Sequence, residues 1–172
     1  MKEIPRKNYL IYLGVCLATF LLLFLFINRV RTMNIEKKSV LTGFLYEITD
    51  DNILNNLQSY AIDNSDFFLY ISNHNNNNSD FDMEFKQFIA DYSLKDNVIY
   101  LNGWNKLSSN FVKNFKSRMF SSDLSDVSII ALRQSNIYEF KNGKVARILY
   151  KQKEKINMSD VRIFMNEVIA ND

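Results

Sequence analysis

The chain has 172 residues, 47% hydrophobic and 14% aromatic, with a formal net charge of +2 from 21 Lys+Arg against 19 Asp+Glu. One cysteine excludes an intrachain disulfide, a dithiol redox site and a cysteine-built zinc site, and one histidine excludes a His-x-x-x-His metal helix. Four glycines and one proline exclude collagen-like and linker-like material, and the length suits one domain with an appendage.

From the amino terminus, a short basic tail (1–8) leads into the uncharged run Tyr9 to Ile27, YLIYLGVCLATFLLLFLFI. As a helix this run measures about 28 Å, close to the ~30 Å hydrocarbon core of a bilayer. A helix there satisfies its backbone polar groups internally, as hydrocarbon requires. The run is longer than a signal-peptide core and ends in Asn28-Arg29-Val30-Arg31, without the small residues of a cleavage site. Leu13-Gly14-Val15-Cys16 is a poor lipoprotein box, because Val15 is large and the apolar run continues beyond it. An uncleaved transmembrane helix over 9–28 is expected, with Cys16 packed in lipid. A basic juxtamembrane linker (29–41) and a globular domain (42–172) follow. Lys2, Arg6, Lys7 and the α-amino group balance Arg29, Arg31, Lys37 and Lys38, so the positive-inside rule assigns no orientation.

Residues 1–38 hold seven basic and two acidic side chains, leaving 14 basic and 17 acidic in the remaining 134. That mildly acidic remainder argues against nucleic-acid binding, which needs a clustered positive face. Gly43 to Ile48 predicts a strand. Thr49-Asp50-Asp51 predicts an N-cap for a helix with Ile53, Leu54, Leu57 and Ala61 inward. Phe67 to Ile71 predicts a strand covered on both faces. After a polar stretch, Ser79-x-x-Asp82 resembles a capping box for a helix with Phe81, Phe85, Phe88, Ile89 and Tyr92 on one face. Val98 to Leu101 predicts another strand, and Ser108 or Ser109 a cap for a helix burying Phe111, Val112, Phe115 and Met119. Ile137 to Phe140 and Val145 to Tyr150 flank Asn142-Gly143, the signal for a type I′ hairpin. A last helix starts near Asn157 or Ser159 with Val161, Phe164, Met165, Val168 and Ile169 inward. The fold class is α/β: a mixed sheet with flanking helices in the order β-α-β-α-β-α-β-β-α, preceded by one transmembrane helix.

That order, closed by Asn136-Ile137-Tyr138-Glu139-Phe140-Lys141-Asn142-Gly143-Lys144-Val145 and a final helix, resembles the thioredoxin fold. The chain as a whole resembles the membrane-anchored thioredoxin-like proteins of low-GC Gram-positive bacteria. The resemblance implies an active-site loop after the second strand, where this chain reads Ser72-Asn73-His74-Asn75-Asn76-Asn77-Asn78-Ser79 and carries no cysteine. It also implies a cis-proline just before the strand entering the hairpin, where Ser135 stands here. A cis bond to a residue other than proline costs ~2.5–4 kcal/mol, so a trans bond is expected. Thiol–disulfide exchange needs a thiolate, and the domain has none. A redox-inactive, non-enzymatic binding or scaffold module follows, with the bilayer and other membrane or envelope proteins as partners and no cofactor. Family members hold extended polypeptide at this loop, so the resemblance implies an interaction surface of Asn73, His74, Asn75, Asn76, Asn77, Asn78 and Ser135. It also implies a domain outside the cytoplasm.

Other chemistries are less well supported. His74 with nearby carboxylates could serve an accessory enzyme or a metal-dependent module, but no triad accompanies it. A chaperone-like accessory role in envelope assembly is a further alternative. Asn75, Asn77, Ser79, Asp80, Asp82 and Glu84 lack the glycine and leading acids of an EF-hand. Asp50, Asp51, Asp63 and Asp66 read as caps and turns. Lys141, Lys144, Arg147, Lys151, Lys153 and Lys155 read as an edge strand protected by charge, with anionic lipid or polymer as the alternative ligand.

Overall fold

The computed structural model describes residues 6–35, 39–48, 52–73, 79–103, 107–151 and 154–166. It forms two compact units, Met1–Lys37 and Lys38–Asp172.

The first unit is one helix, α1 (Arg6–Ile35), about 45 Å long at ~1.5 Å per residue. Its stretch Ile11–Arg29 is long and apolar enough to cross a membrane, and its described side chains are exposed all round. A helix apolar on every side has no polar face to turn to water. Thr19 Oγ1 donates to the Val15 carbonyl at 2.8 Å, so its hydroxyl is satisfied within the helix. Residues 29–35, expected as linker, are instead the helix's last turns. Ser39 and Leu41 belong to the globular unit, so the boundary expected at 42 moves back to Lys38.

The second unit is built on five strands: β1 (Tyr46–Glu47), β2 (Phe67–Ser72), β3 (Val98–Asn102), β4 (Asn136–Lys141) and β5 (Lys144–Leu149). Their spatial order is β1-β3-β2-β4-β5. β1, β3 and β2 run parallel, and β4 and β5 are antiparallel additions. β2 is central, which explains its unbroken run of buried residues. Phe67, Leu69 and Ile71 face one core, and Phe68 and Tyr70 the other.

Helices α2 (Ile53–Asp63) and α4 (Ser109–Met119) cover the first face through Ile53, Leu57, Ala61, Val112, Phe115 and Met119. Helices α3 (Ser79–Asp91) and α5 (Met158–Phe164) cover the second through Phe85, Phe88, Ile89 and Val161, joined by Leu41 and Leu45. The result is the three-layer sandwich that strand–helix alternation demands.

β1 is shorter than the expected 43–48. Gly43 has φ 77°, and the Leu45 N–H returns to the Leu41 carbonyl at 3.0 Å, so 41–45 is a turn burying both leucines. The N-cap of α2 is Asn52, while Thr49, Asp50 and Asp51 lie outside the described residues. Ser108 caps α4 by accepting the Phe111 N–H at 3.1 Å. Asn157 and Asp160 form a reciprocal capping box on α5. Of that helix's expected inward residues, Val161 and Met165 are buried and Phe164 half-buried, while Val168 and Ile169 lie outside the described residues. Tyr92, expected inward on α3, is instead exposed at its end.

In the hairpin, Asn142 and Gly143 have φ 52° and 72°, as a type I′ turn requires. The turn is pinned to the start of β2: Gly143 N–H donates to the Ser65 carbonyl and Asn142 N–H to Asp66 Oδ1, each at 3.1 Å. A Cβ on Gly143 would lie 2.9 Å from the Ala61 carbonyl oxygen.

Candidate functional site

β2 and β4 are antiparallel with Ile71 opposite Asn136, so the residue before β4 lies beside the residues that follow β2. This register brings Asn73 and Ser135 together across 62 positions: Asn73 N–H donates to Ser135 Oγ at 2.9 Å. Asn73 Nδ2 donates to the Arg133 carbonyl at 2.7 Å, tying the chain leaving β2 to the chain entering β4 a second time. His74, Asn75, Asn76, Asn77 and Asn78 lie outside the described residues. Of the interaction surface read from sequence, Asn73 and Ser135 are therefore the described pair, and they are in contact. The peptide bond before Ser135 is trans.

Beneath this pair lies a polar network that sequence reasoning missed. Asp82, in the first turns of α3, is 2% exposed. Its Oδ1 accepts the Tyr70 hydroxyl at 3.0 Å and its Oδ2 the Ser39 hydroxyl at 2.9 Å. The Tyr70 hydroxyl also bonds the Ser135 hydroxyl. Ser72 Oγ and Tyr100 Oη are 2.9 Å apart, and Tyr100 also bonds Ser39. Ser79-x-x-Asp82 therefore does more than a capping box implies: the acid is a buried acceptor for hydroxyls from two other segments. At 2% exposure Asp82 is not on a surface loop, and each of its oxygens accepts a hydroxyl.

Burial, reinforced by the charge of Asp82, holds the Tyr70 phenol well above its ordinary pKa. Burial pushes Tyr100 up to about 12, against hydrogen bonds from Ser39 and Ser72 that favour its ionised form. Both phenols stay protonated at neutral pH, and Tyr70 donates its hydroxyl to Asp82. The network links Ser39, Tyr70 and Asp82 to Ser135. Among the described residues no group of three or more His, Cys, Asp or Glu side chains converges as a metal site. Asn136, fully buried, holds the segment before β4 by donating to the carbonyls of Ala131 and Gln134 at 3.2 and 2.9 Å. The sequence did carry one signal of this network. A tyrosine inside a strand apolar on both faces, as in FFLYIS and VIYLN, needs a hydrogen-bond partner at its buried end.

The basic stretch is largely committed within the domain. Lys141 and Arg147 both pair with the buried Glu139, the former at 3.2 Å. Lys144 donates to the Arg118 carbonyl at 2.6 Å, and Lys151 pairs with Asp160 at 2.8 Å. Lys155 is exposed, and Lys153 lies outside the described residues. β5 is an edge strand, as read from its lysines. Of the aspartates read as caps and turns, Asp66 serves the hairpin turn and Asp63 ends α2, while Asp50 and Asp51 lie outside the described residues. Two open clefts of about 300 and 350 Å³ lie elsewhere, one between α2 and the hairpin turn and one beside α4.

No protein-family model matches the chain, and no curated protein matches it significantly.

Proposed function

We propose that the chain is a membrane-tethered module whose thioredoxin-like domain binds extended segments of other membrane or envelope proteins and performs no thiol–disulfide exchange. Several features support this reading. The strand order β1-β3-β2-β4-β5, with parallel and antiparallel portions and two helices on each face, suits the thioredoxin-like arrangement. The chain's one cysteine, Cys16, lies in α1 within the apolar stretch, so the domain holds no thiol. A tethered domain gains effective concentration near its partners, so modest affinity suffices.

The single observation that carries the reading is the Asn73–Ser135 contact at the carboxyl end of β2. The ends of parallel strands are where open α/β sheets bind ligands. Here that edge presents polar groups over a buried ordering network. The domain faces outward from the cytoplasm in this reading, an assignment that rests on the resemblance alone.

The test uses the full chain in its own membranes, with a photo-crosslinking residue at position 76 or 135 and a control at 113 on α4, which covers the opposite face. Adducts with membrane or envelope polypeptides are expected from 76 and 135 and not from 113. Equal labelling from all three positions would refute the surface.

A further inference from the structure

Ser39 is the second residue of the globular unit, following the segment that leaves α1. Its hydroxyl donates to Asp82 Oδ2 at 2.9 Å, and its Oγ accepts the Leu41 N–H at 3.2 Å. One side chain thus anchors to a buried carboxylate and orders the turn that buries Leu41 and Leu45.

From the other carboxylate oxygen the chain of bonds runs on. Tyr70 donates to Oδ1, Ser135 bonds Tyr70, and Asn73 N–H donates to Ser135. Asp82 as a carboxylate only accepts, so the hydroxyl protons order head to tail toward it and each bond polarises the next. Loss of the Ser39 hydroxyl removes one donor from a carboxylate that is only 2% exposed, and weakens the bonds ordered toward it. The path to Ser135 runs through Tyr70, the donor to the other oxygen of the same carboxylate.

We propose that residues 39–45, by which the chain comes into the domain, are conformationally coupled to the Asn73–Ser135 surface through the Asp82 carboxylate, seating of Ser39 holding that surface in order. The proposed function supplies only the use of this surface; the coupling itself is read without any partner. By linkage, an occupant of the surface stabilises the seated segment by the same factor.

The experiment is residue-resolved hydrogen exchange on the full chain in lipid nanodiscs, comparing wild type, Ser39→Ala, Ser39→Thr, Tyr70→Phe and the double variant S39A/Y70F. Ser39→Ala is expected to speed exchange at the Asn73 amide and across 131–137 by about ten-fold, the low end for losing a hydrogen bond to a charge. Residues 144–149 should be unchanged, and Ser39→Thr, which keeps the hydroxyl, should stay near wild type. In the Tyr70→Phe background, Ser39→Ala should add nothing at Asn73, because the chain of bonds is already cut. Acceleration confined to 39–48, uniform acceleration that includes 144–149, or additive effects in the double variant would each overturn the coupling. A silent crosslinker at 135 alongside coupled exchange would refute the use of the surface and leave the coupling standing.

Discussion

At the scale of single residues, the described part of the domain is marked by buried polar groups: Ser72, Asp82, Asn136 and Glu139. Tyr70, Tyr100 and Tyr138 are wholly inside, and burial raises the pKa of each. A phenol whose folded pKa lies above its unfolded value of about 10 contributes stability that is fully present below pH ~10 and lost as pH rises through the folded value. For Tyr100 that window runs from about 10 to about 12. For Tyr100 alone this removes on the order of 2–3 kcal/mol across that window. Thermal melts of the full chain in detergent should therefore show a flat Tm up to pH ~9.5 and a steep fall above it. Tyr70→Phe should lower the plateau and make the fall shallower. A Tm insensitive to pH up to 11.5 would mean that these phenols are not held protonated by the fold. Glu139, also buried, pairs with two cations, Lys141 and Arg147, the second of which ties β4 to β5.

At the scale of elements, local chemistry was readable where it is self-contained. Asn142-Gly143 announced its turn because only those residue types accept two successive positive φ values cheaply. Gly143→Ala should cost about 1–3 kcal/mol, since the new Cβ meets both the unfavourable φ and the Ala61 carbonyl. Urea denaturation should register this, whereas a loss under 0.5 kcal/mol would mean that the turn and α2 separate readily. Gly103 is a second such position, where a Cβ would lie 2.9 Å from the Ser72 carbonyl oxygen just after β3. The helices were legible from their apolar spacing, and Ser108 and Asn157 from their capping chemistry.

What escaped reading depends on partners distant in sequence. Ser79-x-x-Asp82 fits a cap locally, and nothing nearby reveals that Ser39, 43 residues away, meets the carboxylate. The Asn73–Ser135 pairing was legible only because the family resemblance put both positions at one surface. Polarity alone would not have joined them. β1 was overextended because GFLYEI has a strand's composition, while the buried Leu41 and Leu45 and the positive φ of Gly43 impose a turn.

At the scale of the whole molecule, the two units have contrary compositions. α1 exposes Phe20, Leu22, Phe24, Phe26 and their neighbours, more contiguous apolar surface than a soluble monomer tolerates. The intact chain should stay in the membrane pellet through alkaline carbonate extraction. A chain starting at Lys38 should leave it, and release of the intact chain by carbonate would exclude a spanning helix. The two cores of the second unit are separated by the sheet, and the incoming segment contributes to one of them alone.

That asymmetry has a mechanical meaning. A load arriving along the polypeptide from its amino-terminal side falls first on Ser39, Leu41 and Leu45, then on a strand only two residues long. Leu41 and Leu45 pack in the layer containing α3, and β1 meets β3 at only two register pairs, so tension would disturb that layer first. The domain is thus built with a preferred place to yield, on the side where its buried hydroxyls meet.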